Sequence, residues 1–172
     1  MNVHRLFARV ILISLLLITA CGGGGGGNTS GGGNPQPTKA IVKIATTGTL
    51  PTGTLIGGID ITLSMASGVS AKSASNPPET DAGVVVTSGV AIANSQILAT
   101  YTPPAGTTHA KARLLIVNTS GFGTGEFATV TGDIASGYNP TAAEFSVTSF
   151  TVTDLNGSPI SGLTAALTVS NQ

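Results

Sequence analysis

From residue 39 onward the sequence predicts an all-β fold, a nine-stranded jelly-roll or Greek-key sandwich, and three observations predict it. Apolar residues recur at alternate positions in short runs. Gly, Pro, Asn and Ser punctuate those runs. Past the N-terminal segment no run has the 3.6-residue period of a long helix.

The first predicted strand covers residues 40–46. The second is the clearest: Ile59, Ile61, Leu63 and Met65 share one face, while Asp60, Thr62 and Ser64 share the other. That is the pattern of a strand packed on one side and wet on the other. Further runs follow at residues 69–73, 84–90, 96–102, 112–118 and 126–134. In the eighth, residues 145–154, the inward phase runs Phe145, Val147 and then Phe150, Val152, a slip of one position. A β-bulge near Thr148 or Ser149 would return both phenylalanine rings to the core. Asp154-Leu155-Asn156-Gly157 reads as a hairpin turn in which Gly157 takes a positive φ. Leu163, Ala165, Leu167 and Val169 mark the last strand. Between the seventh and eighth, Asn139 followed by Pro140 is expected to cap one short helical turn through Glu144. Such a set of strands without helices implies two packed sheets.

The N-terminal segment is of another kind. His4, Arg5 and Arg9 precede an apolar run over residues 10–18, and small residues follow it. The stretch Leu17-Ile18-Thr19-Ala20-Cys21 resembles the lipobox of bacterial lipoproteins. A membrane-spanning helix would need roughly 20 apolar residues, more than this run offers. The resemblance implies that residues 1–20 are a signal peptide removed by cleavage and that Cys21, the only cysteine, is acylated. Two or three acyl chains hold a protein on its membrane where one holds it only marginally. The expected location is therefore the cell envelope, lipid-anchored. With Gly22 rather than an aspartate behind the cysteine, it is the outer membrane. Residues 21–38 form the lipidated cysteine and a linker of Gly, Asn, Thr, Ser, Gln and Pro before the domain at 39–172. As a flexible coil that linker spans about 20 to 25 Å.

Composition limits the function classes. Charged residues make up only 8% of the chain, low for a soluble protein and usual for exported β proteins. Loss of Arg5 and Arg9 with the signal leaves five basic side chains against seven acidic ones, so no nucleic-acid surface is implied. A single cysteine allows no disulfide within the chain, and stability must come from the core. Asn28 and Asn118 each begin an Asn-x-Ser/Thr triplet, read as a chance match in a bacterial lipoprotein.

No residue set carries recognisable catalytic or metal chemistry, and no cofactor is expected. His109 is the only histidine outside the signal and follows the loop residues Pro103-Pro104-Ala105-Gly106. One histidine makes no zinc site unless carboxylates supply the remaining ligands. Asp133 and a serine could complete a triad with His109 only in principle, since no nucleophile elbow is present. Glu126 and Asp133 stand at an odd separation in one strand, hence on opposite faces unless that strand is bulged. Glu79 and Asp81 sit in a polar loop with Pro77 and Pro78, and Asp154-x-Asn156-Gly157 lacks the later ligands of a calcium loop. Gly121-Phe122-Gly123-Thr124-Gly125 precedes a strand, whereas phosphate-cradling loops open a helix. Only Tyr101 and Tyr138 are available as aromatic platforms for sugar.

The stretch Thr124-Gly125-Glu126-Phe127-Ala128-Thr129-Val130, a glycine-led turn entering an alternating strand, is similar to a late strand of cohesin modules. The stretch from Phe145 to Gly157 and the closing strand from Leu163 to Val169 resemble their ends. The resemblance covers roughly residues 39–171 and implies a nine-stranded sandwich related to carbohydrate-binding modules. It also implies a non-enzymatic role, binding a dockerin-type protein partner and serving polysaccharide processing. No binding-face residue is transferred, because no motif marks that face. The expected protein is thus a membrane-anchored binding lipoprotein. A polysaccharide-binding module and a structural envelope subunit that assembles through an edge strand are the alternatives.

Overall fold

The computed structural model describes residues 35–74 and 78–172. Cys21, residues 1–20 expected to be a signal peptide, Asn28 and Pro77 lie outside the described residues. Among the described residues nine strands form two antiparallel sheets, as the alternating pattern predicts. β1 (Lys39–Thr47), β3 (Val69–Ser70), β4 (Val85–Thr87), β7 (Gly125–Ile134) and β9 (Thr164–Asn171) make one sheet. In it β7 and β9 flank β1, while β3 and β4 pair successive parts of the far side of β7. β5 (Ser95–Thr102), β6 (Lys111–Phe122), β2 (Ile56–Ser64) and β8 (Ser146–Asp154) form the other sheet, in that order. The chain changes sheet at most connections, which is the jelly-roll habit. Among the described residues only β5 and β6 are consecutive strands that pair with each other.

Burial follows the period of two. Ile59, Ile61, Leu63 and Met65 are fully buried and share one core with Val42, Ile44, Phe127 and Val130 of the other sheet. Each such side chain contributes roughly 1.5–3 kcal/mol by leaving water. Asn118 and Thr46 are the buried polar residues among those described. The Asn118 side-chain amide donates to the carbonyl of Ala93 (2.7 Å) and to the Ser95 hydroxyl (2.8 Å), and its oxygen accepts from the Ser120 amide (2.9 Å). Asn118 thus fastens the entry of β5 to β6, and a buried, fully bonded amide is no glycosylation acceptor.

The bulge in β8 is where the phase slip puts it. Thr62 faces Ser149 while Leu63 faces Val147, so Thr148 is the extra residue. Phe145 is thereby buried and Phe150 half-buried. Other elements differ from expectation. β3 is only two residues long, and the run predicted over 84–90 keeps a strand only to Thr87 before a 3-10 turn, Gly89–Ala91. The other 3-10 turn, Ala142–Glu144, is capped by Thr141 and not by Asn139. The Glu144 carboxylate accepts from the Thr141 backbone amide (2.6 Å) and hydroxyl (3.0 Å), a bond that an Asn139 cap would place two residues too early. The Asp154 turn closes as predicted, with the Gly157 amide donating to the Asp154 carbonyl (3.1 Å) and φ +80° at Gly157. Its hairpin is short, since β9 leaves to pair with β1.

Candidate functional site on the four-stranded sheet

The outward residues of the two sheets differ in kind. On the five-stranded sheet Lys39 pairs with Asp133, Lys43 with Glu126, and β9 turns Thr164, Thr168 and Ser170 outward. Ile41 and Val86 are the larger apolar side chains there. That is the usual wet face of an antiparallel sheet. The four-stranded sheet instead turns three large aliphatic side chains to solvent: Leu98 (51% exposed), Leu115 (41%) and Val117 (49%).

Register places them together. Leu98 lies opposite Leu115, which lies opposite Asp60, which lies opposite Thr151. One step along, Gln96, Val117, Gly58 and Thr153 form the neighbouring row. Gly58 leaves a gap in the middle of its row, and a Cβ there would sit 2.7 Å from Thr153 Oγ1. At Gly57 a Cβ would sit 2.6 Å from the Asp154 carbonyl oxygen, so the glycine pair lets the β8 turn lie close over β2. The result is an open depression of about 600 Å³ between Leu115 and Val117 on one side and Thr153 and Leu155 on the other. Leu155 is itself half-exposed.

Of the two carboxylates at this site, Asp60 has a counter-ion and Asp154 has backbone donors. Arg113 donates through Nε to Asp60 Oδ1 (3.0 Å) and through Nη2 to Asp60 Oδ2 (2.6 Å). The hydrogen bond from Arg113, against a smaller desolvation effect, holds the Asp60 carboxyl below its ordinary value. Asp154 Oδ1 accepts from the amides of Asn156 and Ser158, both at 2.8 Å. The face thus offers an apolar centre with an ion pair and hydroxyls at its margin, the make-up of a protein-docking surface.

The residues weighed in the sequence are dispersed. His109 is exposed in the β5–β6 loop. Glu126 and Asp133 do share a face, because Ile44 opposes Ala128 while Ala45 opposes Glu126, which makes Phe127 the extra residue of a bulge. At about 3.3 Å per residue they stand roughly 20 Å apart, beyond the span of a glycosidase pair. Each is held by its own lysine, and Glu126 is also lowered by a hydrogen bond from Ser88. Asp81 caps its own turn through the Ala82 amide. Among the described residues no group of three His, Cys, Asp or Glu side chains lies close enough to hold a metal ion. Tyr101 is a correction: it is 6% exposed and belongs to the core, where burial pushes its hydroxyl up. Tyr138 is 47% exposed.

Sequence reasoning missed Leu98, Leu115 and Val117. The available signal was the unbroken run Leu114-Leu115-Ile116-Val117, in which both parities are apolar and one of them must face away from the core.

The fold defines the class of this protein as a two-layer antiparallel β-sandwich. No protein-family model and no curated protein matches the chain. Among solved structures it is similar to a non-cellulosomal cohesin from the hyperthermophilic archaeon Archaeoglobus fulgidus, at 16% identity and a TM-score of 0.46. That match covers 73% of this chain and 75% of the cohesin.

Proposed function

We propose that the chain is a non-enzymatic, lipid-anchored binding module of the bacterial cell envelope that holds a protein partner on the outer face of its four-stranded sheet. The observation that carries the docking face is the exposed cluster Leu98, Leu115 and Val117 beside the depression floored by Gly58. Solvent-facing strand positions that bear large aliphatic side chains in adjacent rows supply the apolar centre a partner can desolvate. The anchor rests on the sequence alone, on the resemblance of residues 17–21 to a lipobox. A dockerin-type partner and a link to polysaccharide processing rest on the resemblance of residues 124–130 and of the closing strands to cohesin modules.

The test uses the full chain in detergent as bait against lysate and secreted protein, with Leu115→Asp alongside. The reading expects a protein that is retained by the wild type, binds again when purified, and is lost by the variant. A calcium-dependent complex, released by chelator, supports the dockerin-type partner. Equal retention by both baits, or none above controls, contradicts the docking face.

A further inference from the structure

The geometry points to a second binding site, for an uncharged saccharide chain, centred on Tyr138 at the end of the sandwich and separate from the four-stranded sheet face. Tyr138 follows β7, and its ring lies flat against Gly68 in the β2–β3 connection. A Cβ on Gly68 would fall 2.2 to 2.6 Å from three atoms of that ring, so the tyrosine occupies the space a side chain would take. Gly68 has φ +72°, a left-handed conformation in which glycine is at ease. With one face on backbone and 47% of the residue exposed, the ring turns its remaining surface to water.

The backbone that carries the ring is pinned from three sides. The Tyr138 amide donates to the Ala135 carbonyl (3.2 Å), the Ala135 amide to the Gly68 carbonyl (2.8 Å), and Gln36 Nε2 to the Tyr138 carbonyl (3.2 Å). An aromatic platform set this way loses little freedom when a ligand stacks on it.

Two shallow depressions border the same tyrosine. One, of about 320 Å³, is lined by Ser67, Thr107, Thr108 and His109. The other, of about 410 Å³, is lined by Pro35, Gln36, Pro37 and Asn139. Neither lining contains Lys, Arg, Asp or Glu. A flat apolar ring flanked by hydroxyls, amides and an imidazole, without fixed charge, suits a ligand that has an apolar C–H face and a hydroxylated edge. A sugar ring has both. Depressions on two sides of one ring suit several linked sugars better than a single one, and neither lining offers a charged ligand a lysine, an arginine or a carboxylate.

The test is saturation-transfer NMR and isothermal titration of the full chain in detergent with maltohexaose, cellohexaose and xylohexaose. At least one should bind, with transfer to ring protons of the sugar. Tyr138→Ala should weaken that binding about tenfold, the worth of one stacked ring. Tyr138→Phe should retain most of it. Thr108→Glu, which adds charge without removing a packed ring, should weaken it even if Tyr138→Ala proves unstable. Leu115→Asp should leave it unchanged, which keeps this site distinct from the sheet face. Absence of binding to all three hexasaccharides at their solubility limits, or binding unaffected by Tyr138→Ala in a folded protein and by Thr108→Glu, would overturn the proposal.

Discussion

Arg113 grips Asp60 through two parallel hydrogen bonds diagonally across the β6–β2 pair, next to the exposed Leu115. The pair contributes to how the stability of the fold responds to acid. Asp60 has a folded-state pKa lowered mainly by the Arg113 hydrogen bond, so its contribution to stability is fully present above the unfolded value of about 3.9. It is lost as pH falls through the lower folded value. Glu126, lowered by Ser88 and Lys43, and Glu144, lowered by the Thr141 amide and hydroxyl, act in the same direction. Thermal midpoints should therefore fall from about pH 4.5 downward. Asp60→Asn should flatten that decline, and an unchanged profile in the variant would remove Asp60 as a contributor.

The core carries the sandwich. Ile61 and Phe127 are fully buried on opposite sheets, so truncation leaves a cavity in either case. Ile61→Ala should cost about 2–5 kcal/mol and Phe127→Ala about 3–5 kcal/mol in urea unfolding. The Phe127 change also removes the side chain of the bulge that brings Glu126 to the outer face beside Lys43. Losses below about 1 kcal/mol would contradict the packing described.

Gly58 separates binding from folding. A Cβ at this position meets a threonine hydroxyl that can rotate away, and Gly58 has no positive φ to lose. Gly58→Val should thus fold with Thr153 turned aside, at a cost of about 1–3 kcal/mol read as a lower thermal midpoint. It should reduce partner binding, because the side chain fills the depression beside Val117. Undiminished binding in a folded Gly58→Val protein would place the partner elsewhere.

Cys21→Ser tests the anchor. The wild-type chain should incorporate a labelled fatty acid, partition into detergent and fractionate with outer-membrane markers. The variant should do none of these. Fractionation of the wild type with inner-membrane markers would contradict the inference from Gly22.

The fold was legible wherever the apolar period was unbroken. Ile59 to Met65 has one reading, and the slip between Val147 and Phe150 located the Thr148 bulge. The Phe127 bulge was not legible, because Phe127 and Ala128 are adjacent in sequence and only the β1 register shows that both face inward. Tyr101 was misread as a surface ring because its own run alternates weakly. Ala99 and Tyr101 are buried beside the β3–β4 connection, where the Tyr101 amide donates to the Pro78 carbonyl (2.7 Å) and the Thr80 amide to the Ala99 carbonyl (3.1 Å). The candidate site was hidden for a similar reason. Leu98, Leu115 and Gly58 become neighbours only once β5, β6 and β2 are known to be adjacent, and register of that kind is set by contacts far apart in sequence.

The most direct test of the central claim compares a purified partner, recovered with the wild-type chain, for binding to wild type, Leu115→Asp and Tyr138→Ala by surface plasmon resonance. The docking face predicts that Leu115→Asp weakens the complex at least tenfold, about 1.4 kcal/mol, while the thermal midpoint is preserved and Tyr138→Ala binds as wild type does. Equal affinity for the wild type and Leu115→Asp would contradict it.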